Sequence, residues 1–459
     1  MTSSILEKAY DQSQFWREEM VDGATYITYL KKIPLQMRPW AWTENATHTL
    51  WETERIRCIS AGTLPKLVEA LATKSGQLDE DYANMFFYMF RTFASVEEVL
   101  NLILDRIKYW KYNEKRNRPQ ATVYKTSYII ILLMWMKMYP EDFQQTPDYS
   151  NLKRLISLAD EYTGDSDVRP TAEKLLRRFE AAGVKASLVD AVNVMPTSSS
   201  PEKIECNATF FLSLKPSMIA EQLTYKDVEV FTKVVPLQCL GCYRGGEGEV
   251  SDVSTVLAVV SHYNDVSNLV ITSVLDADPQ SKHRAKVMEH WIMVAQNLRK
   301  MNSFSSLHAV VTSLMSSVIC GLEQSLTAVG KKATAEYKEI TRMLALDNNA
   351  FNSREVLMQE ATSRCFTNSR GELVRKYPKQ VTMQGTIPLL DLFLSNLSSL
   401  DSAIPSKTAT GLINFEKRRQ EYEILTQLML LQKSATLYKF KRAPVFWKWF
   451  HSVSENAKA

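Results

Sequence analysis

The fold is organised around residues 386–433, which read TIPLLDLFLSNLSSLDSAIPSKTATGLINFEKRRQEYEILTQLMLLQK. In the first half, apolar residues recur at spacings of 3, 4 and 3, which predicts a helix with one buried face. These apolar positions are Leu390, Phe393, Leu397 and Leu400. The opposite stripe is polar and consists of Asp391, Ser395, Ser398 and Ser402. The helix is therefore expected to bury one side and to expose a line of small polar groups.

A turn and a second helix follow. Residues 404–411 include Pro405, Gly411, a serine and two threonines, a cluster that ends a helix and reverses the chain. The second helical pattern begins near the charge run Glu416–Arg419 and continues with an apolar stripe. That stripe is Ile424, Leu425, Leu428 and Leu431. The pattern predicts an antiparallel helical hairpin, and periodicity alone favours a helix pair that simply packs on a core.

Length and composition indicate a soluble protein of two or three domains. The chain has 459 residues, of which 45% are hydrophobic and 23% charged, with a net charge of +4. Six cysteines are too few for a disulfide scaffold and suggest a reducing compartment. The N-terminus lacks the apolar core of a signal peptide, and the longest apolar run, 128–136, is too short to span a bilayer. We therefore predict a cytoplasmic protein, with recruitment to membranes as an open alternative.

Helical patterns dominate the N-terminal half. Residues 24–35 alternate enough to predict one short strand. Ser95 and Glu98 form a capping-box pattern at the start of a helix. The predicted helices cover 64–71, 82–93, 96–107, 123–138, 151–162 and 168–182. The segment Met195–Pro201, rich in serine and proline, predicts the linker between two domains.

Three local patterns have competing interpretations. Residues 106–118 (RIKYWKYNEKRNR) mix basic and aromatic side chains, as nucleic-acid and membrane sites do, although composition favours a solvated loop. The tail 438–450 (YKFKRAPVFWKWF) has a similar composition, and its aromatic residues favour packing of a last helix. Cys239 and Cys242 form a CxxC for which no second ligand pair is present, so burial is favoured over a zinc or redox site.

Longer blocks resemble a known family. Residues 384–397 with 412–419 resemble the catalytic hairpin of Cdc25-type guanine nucleotide exchange factors for Ras-family GTPases. Residues 52–71 and 86–106 resemble the Ras exchanger motif that precedes that domain. The blocks 219–241, 262–275 and 284–313 resemble further catalytic signatures, and 353–364 is similar to a segment of the Ral guanine nucleotide dissociation stimulator group. Together the blocks extend from about residue 20 to residue 455 in family order.

The resemblance implies an all-α fold with a protruding helical hairpin. It places an N-terminal segment at 1–48, a helical Ras exchanger motif at 49–190, a linker at 191–205 and the Cdc25-homology catalytic domain at 206–457. Relatives of the Ral group continue into a Ras-association domain, and because the chain ends at Ala459 we expect none here. No nucleotide-binding loop or HExxH motif is present, so we expect no cofactor and no metal site.

The implied function is acceleration of GDP release from a small GTPase, most closely of the Ral type. The outward face of the first hairpin helix would contact the GTPase through Asp391, Ser395, Asn396, Ser398 and Ser402. The second helix would support the hairpin through Asn414, Phe415, Lys417, Arg418 and Arg419. Further GTPase contacts would come from Glu221, Leu223, Ser313 and Met315.

The hairpin departs from the family pattern at the positions of its first helix that would contact the GTPase. Ras-directed relatives have leucine where this chain has Ser398 and glutamate where it has Ser402, while Ral-directed relatives have valine and a small residue. Asp391 stands where these relatives usually have glycine. These departures keep an alternative open, in which the same fold serves as a catalytically weak or inactive scaffold that binds a GTPase or another signalling protein.

Overall fold

The computed structural model describes residues 13–34, 51–72, 78–114, 116, 120–144, 148–164, 166–192, 208–242, 252–277, 281–344, 366–367, 373–374 and 385–456. The chain divides into two compact units, and neither is continuous in sequence. The N-terminal unit comprises residues 4–200 together with 400–422. The C-terminal unit comprises residues 1–3, 201–399 and 423–459. The predicted segments 191–205 and 353–364 lie almost wholly outside the described residues.

The N-terminal unit combines a sheet with helices. Its elements before residue 200 are β1 (Ser13–Val21), β2 (Ala24–Pro34), β3 (Trp51–Gly62), α1 (Leu64–Glu69), α2 (Glu80–Met89), α3 (Val96–Glu114), α4 (Ala121–Met138), α5 (Ser150–Tyr162) and α6 (Val168–Val192). A short strand from the distant hairpin, Ile413–Asn414, completes the antiparallel sheet by pairing with the end of β3. The predominantly helical prediction is confirmed, and this sheet is the feature that an all-α description omits.

A two-residue turn explains why the sheet starts before the predicted strand. Asp22 and Gly23 connect β1 to β2, and both adopt positive φ, at 48° and 76°. Val21 pairs directly with Ala24, which is the register of a two-residue hairpin. Asp-Gly is a strong signal for this turn because both positions need the left-handed region. The strand predicted at 24–35 is confirmed as β2, whereas β1 and β3 were not predicted.

The helix predictions of this half are confirmed, with one correction. Ser95 and Glu98 form the predicted capping box, with Glu98 Oε2 accepting from the Ser95 amide at 2.8 Å and Ser95 Oγ accepting from the Glu98 amide at 3.2 Å. These hydrogen bonds hold the pKa of Glu98 below its usual value. The loop predicted for 106–118 is wrong over 106–114, because α3 continues to Glu114. Apolar anchors at Ile103 and Ile107, both fully buried, fix this helix on the core.

The C-terminal unit is built from helices. They are α7 (Ala208–Ser213), α8 (Pro216–Phe231), α9 (Gln238–Gly241), α10 (Ser254–Leu275), α11 (Ser281–Lys300), α12 (Phe304–Leu314), α13 (Ser317–Cys320), α14 (Glu323–Thr327), α15 (Lys331–Leu344), α16 (Leu390–Ala403), α17 (Phe415–Ala435) and α18 (Pro444–Asn456). The last residues of α16 and the first of α17 belong to the N-terminal unit. Phe366–Thr367 and Leu373–Val374 form a short antiparallel pair.

Aromatic residues fill the core of this unit. Trp291 is fully buried, and its indole N–H donates to Ser273 Oγ at 2.8 Å. Trp447, Trp449 and Phe450 are buried in the same cluster, which confirms that the tail packs as a last helix. His290 is a packed residue, since its Nε2 lies 2.9 Å from the Leu214 carbonyl oxygen. Among the described residues, no helix is both long enough and apolar enough to cross a bilayer.

Candidate functional site

The predicted hairpin is present and its connection is a defined turn. α16 ends at Ala403 and α17 begins at Phe415, which confirms the breaker cluster between them. Gly411 has a φ of +79°, and the Thr408 and Leu412 backbones pair across the turn, with the Thr408 amide 2.9 Å from the Leu412 carbonyl oxygen. The Thr408 hydroxyl also accepts from the Leu412 amide at 3.1 Å. The turn is closed by its own backbone and needs glycine at the left-handed position.

The two faces of α16 are as the periodicity predicts. Leu390, Phe393 and Leu397 are buried, and Leu400 is half-buried. On the polar stripe, Asp391 and Ser402 are exposed, whereas Ser395, Asn396 and Ser398 are half-buried. All five predicted contact residues therefore lie on one helix, two of them exposed and three half-buried.

The Asp391 end of the stripe lies beside a polar cluster on α10 and α12. The Tyr263 hydroxyl is 2.8 Å from His308 Nδ1 and 3.0 Å from Thr312 Oγ1. Burial raises the pKa of Tyr263, and the Asp391 carboxylate raises it further against the effect of the Thr312 hydrogen bond. Burial lowers the pKa of His308, while Asp391 opposes that shift. The charge of Asp391 thus acts on both groups, so this end of the stripe is electrostatically coupled to the body of its unit.

Polar side chains at the start of α17 tie the two hairpin helices together. Asn414 Oδ1 accepts from the Lys417 backbone amide at 3.2 Å. The side-chain nitrogen Nδ2 of Asn414 donates to the Pro405 carbonyl oxygen at 3.0 Å. The Lys417 side chain is 1% exposed and donates from Nζ to Asp401 Oδ1 at 2.7 Å. Lys417 also reaches Ser406 Oγ at 3.3 Å. Because the buried lysine pairs with the half-buried Asp401, it fixes the start of the second helix against the end of the first.

Arg418 is a second buried charge at the start of α17. It is 1% exposed, and its guanidinium donates to Glu421 Oε2 at 2.8 Å and to Ser406 Oγ at 2.9 Å. A third bond, to Thr92 Oγ1 at 3.2 Å, links residues 326 positions apart in the chain. Glu421 is equally buried, so the pair is shielded from water. A buried charge is costly unless it is paired and hydrogen-bonded, and these partners hold the hairpin turn in place within the N-terminal unit.

Phe415 and Arg419 complete the support. Phe415 is fully buried, and its ring centroid lies 5.1 Å from that of Tyr82 and 6.4 Å from those of Phe86 and Phe93. Arg419 pairs with Glu416 at 2.7 Å and reaches the Ile59 carbonyl oxygen at 3.4 Å. All five predicted support residues therefore lie at the hairpin end. Sequence reasoning missed their partners Thr92, Asp401, Ser406 and Glu421.

The other predicted GTPase contacts fall into two groups. Met315 is 50% exposed and Glu221 is half-buried, so both present surface. Leu223 is 0% exposed and Ser313 is 3% exposed, and the Ser313 hydroxyl donates to the Ala309 carbonyl at 2.7 Å. Leu223 and Ser313 therefore belong to the core of the unit, where they can act on a partner only by positioning their neighbours. Val318, 51% exposed on α13, lies close to Met315 in sequence and adds apolar surface there.

The CxxC pair is divided between core and surface. Cys239 is buried, and burial raises the pKa of its thiol to about 12, while Cys242 is exposed. In the part of the chain that the structure describes, no group of three or more His, Cys, Asp or Glu side chains could hold a metal ion.

Two family models match the chain. The RasGEF domain matches residues 218–419, and the RasGEF N-terminal motif matches residues 58–158. The first range contains the polar stripe of α16 and the Lys417–Arg419 end of α17. The second contains Tyr82, Phe86, Thr92 and Phe93, which contact that end.

Curated proteins with similar sequences align along nearly the whole chain. "Ral guanine nucleotide dissociation stimulator-like 1" of Mus musculus is 34% identical over 474 residues, covering 95% of this chain and 61% of the relative. The protein of the same name from Danio rerio is 33% identical, covering 97% and 60%. "Ral guanine nucleotide dissociation stimulator-like 3" of Mus musculus is 30% identical, covering 95% and 66%. The chain thus spans less than two thirds of the length of these relatives.

Proposed function

The chain belongs to the RasGEF family, with a RasGEF N-terminal motif ahead of its RasGEF domain, and on this premise we propose that it accelerates GDP release from a Ras-family small GTPase, with a Ral-type GTPase as substrate. The observation that carries the proposal is the construction of the hairpin. Its end is supported by the buried Arg418–Glu421 pair and by Phe415, while the stripe from Asp391 to Ser402 is exposed at both ends and half-buried between them. The preference for Ral rests on the relatives, whose names refer to Ral.

The energetics explain why a rigid hairpin suits this task. For a GTPase that holds GDP with picomolar affinity, the bound state is stabilised by about 16 kcal/mol. A protein that speeds release must bind the empty GTPase far more tightly than the loaded one. Such selectivity calls for a large interface, roughly 2,000 Å² or more. If the hairpin were flexible, part of the binding free energy would be lost in ordering it. The buried contacts at the hairpin end reduce that loss and therefore favour GDP release.

In the proposed mechanism, the outer face of α16 enters the nucleotide site of the GTPase. Asp391, Ser395, Ser398 and Ser402 would then face the groups that hold the magnesium ion and the phosphates. Both the metal and the nucleotide belong to the GTPase complex, so this chain needs no nucleotide site of its own. Met315 and Val318 offer apolar surface for a second contact. The release is reversible, because a catalyst that stabilises the empty state speeds both release and rebinding.

The experiment that tests the function is release of fluorescent GDP from a panel of purified Ras-family GTPases, with the full chain as catalyst. We expect faster release from Ral-type members than from Ras-type members. The small hydroxyls at Ser398 and Ser402 favour one second function, a scaffold on the same fold, because they add little bulk to displace a metal. Tight binding to an empty GTPase without acceleration of release from any panel member would support the scaffold and reject the exchange activity.

Ser398 provides a residue-level prediction. Ser398 is half-buried in the free protein, so a leucine there gains most of its additional burial when the hairpin is inserted, and it should stabilise the empty complex more than the free protein. Burial of one such side chain contributes roughly 1.5 kcal/mol, which corresponds to about a ten-fold faster GDP release. The free energy of unfolding should change by less than that amount.

The matched control is Ser399→Leu, one position further along α16. Ser399 is exposed, and its hydroxyl donates to the Ser395 carbonyl at 2.8 Å, so it faces a different direction from the stripe. This variant should leave the release rate unchanged. Equal release rates and equal GTPase affinities for Ser398→Leu and the parent chain would place Ser398 outside the interface.

A further inference from the structure

The second half of α3 displays an aromatic stripe that the exchange reaction does not use. Asp105, Tyr109, Tyr112 and Arg116 follow one another at spacings of 4, 3 and 4, and all four are exposed. Tyr109 is 49% exposed and Tyr112 is 55% exposed, which is unusual for large aromatic side chains on a well-packed helix. Because the stripe has helical spacing, the two phenol rings project from the same face.

Positive charge is concentrated in the same stretch. Residues 106–118 contain six Lys or Arg and one Glu, hence a net charge of +5. The whole chain carries only +4, so this stretch holds more positive charge than the entire protein does on balance. Four of the six cations, Arg106, Lys108, Lys111 and Arg116, lie among the described residues, and a local excess of positive charge attracts an anionic surface over about a Debye length.

Two of these cations, Lys111 and Arg116, have neutral groups as their direct contacts. Lys111 Nζ donates to the Glu161 carbonyl and lies 5.1 Å from the Tyr162 ring centroid. The Arg116 guanidinium lies over the Tyr112 ring at 4.4 Å. The pKa of Glu114 is lowered mainly by its hydrogen bond from Lys125, and the charge of Lys111 lowers it a little further. Three other basic side chains near the stripe do pair with carboxylates: Arg106 with Glu69, Lys108 with Asp105 and Lys125 with Glu114.

Contacts among the aromatic rings and with Arg116 occupy part of the ring faces, which makes stacking by a further partner less favourable. Trp110 stacks on Tyr124 with centroids 4.4 Å apart and planes 9° apart. Arg116 covers one face of Tyr112, and Tyr109 packs edge-to-face against Trp110 at 5.0 Å. Single-stranded nucleic acid needs free ring faces on which its bases can stack. A lipid headgroup layer instead accepts ring edges and hydroxyls together with neighbouring cations.

We propose that the surface formed by Tyr109, Lys111 and Tyr112 of α3, together with Arg116 just after it, is a docking surface for a membrane that contains anionic phospholipids. Tyr109 and Tyr112 enter the headgroup layer, and Lys111 and Arg116 lie at the level of the anionic phosphates and carboxylates. The contact is peripheral, since α3 is anchored on the core by Ile103 and Ile107 and stays folded there. This inference does not depend on the exchange activity.

The test is co-sedimentation of the full chain with vesicles of phosphatidylcholine, with and without phosphatidylserine. The parent chain should bind the phosphatidylserine vesicles, and the binding should weaken as salt is raised. At about five-fold for each basic side chain near the surface, K111E/R116E should bind at least ~25-fold more weakly. Tyr109→Ser/Tyr112→Ser should also weaken binding, although it leaves the charge unchanged.

A matched variant separates this face from charge in general. Lys137→Glu/Arg178→Glu makes the same change of charge at exposed positions elsewhere on the N-terminal unit, and it should bind vesicles like the parent. Melting temperatures of all variants show whether each remains folded. Equal vesicle binding by K111E/R116E and the parent would overturn the proposal. Binding of single-stranded RNA that is lost in K111E/R116E, with no vesicle binding by the parent, would also overturn it in favour of a nucleic-acid site.

Discussion

Replacing Arg418 with methionine is expected to lower the free energy of unfolding by about 3–5 kcal/mol, the usual cost of removing one partner of a buried ion pair. The substitution leaves Glu421, itself 1% exposed, without the guanidinium that balances its charge. It also removes the donor to Ser406 in the hairpin turn and the bond to Thr92. Denaturant unfolding of the N-terminal unit measures the loss. Release of GDP from the GTPase should fall as well, because the turn is no longer held.

The double variant Arg418→Met/Glu421→Leu is the informative control. Replacing both members of a buried pair with apolar residues of similar volume is often nearly neutral, so the double variant should recover most of the lost stability. Arg419→Met, whose side chain is 14% exposed and whose partner Glu416 is 31% exposed, should cost only about 1 kcal/mol or less. If the double variant were no more stable than Arg418→Met, the buried pair would not be the source of the effect.

Phe415→Ala is expected to destabilise by a similar amount, about 3–5 kcal/mol. The ring is fully buried among Tyr82, Phe86 and Phe93, so its removal leaves a cavity lined by aromatic rings that cannot collapse freely. The first residue of α17 would then lose its anchor, and the hairpin end would become less rigid. Thermal unfolding measures the loss of stability, and the rate of GDP release measures the effect of the less rigid hairpin end.

Phe15→Ala is the matched comparison, because Phe15 is 58% exposed on β1 in the same unit. Surface substitutions of this kind usually stay within about 0.5 kcal/mol. Phe415→Leu should lie between the two, since it keeps part of the buried volume. An unfolding curve of Phe415→Ala that superimposes on that of Phe15→Ala would show that the aromatic cluster does not support the hairpin.

The hairpin could be predicted because its signals are local. The 3-and-4 spacing of Leu390, Phe393 and Leu397 and the Pro405–Gly411 breakers act over a few residues, and both appear in the structure. The Asp22–Gly23 turn was equally local, and attention to that dipeptide would have predicted β1.

Contacts between residues far apart in the chain could not be predicted from the sequence. Nothing in the sequence around Thr92 indicates that its hydroxyl meets a guanidinium 326 positions later. Leu223 and Ser313 were predicted to contact the GTPase, but both are buried. A family pattern marks positions along the chain and does not show which side chains are buried. The extension of α3 to Glu114 was missed because basic and aromatic composition resembles a loop, while the deciding contacts of Ile103 and Ile107 are tertiary.

The discontinuous N-terminal unit also has a consequence for synthesis on the ribosome. Ile413 and Asn414, which pair with Gly62 and Ala61 at the end of β3, are translated 351 residues after Gly62. At ~5–20 residues per second, the nascent unit waits roughly 20–70 s for its last strand and for Phe415. During that interval the aromatic surface of Tyr82, Phe86 and Phe93 lacks the ring that later covers it. The growing chain therefore presents a transient binding site for chaperones, which closes only when the hairpin has emerged.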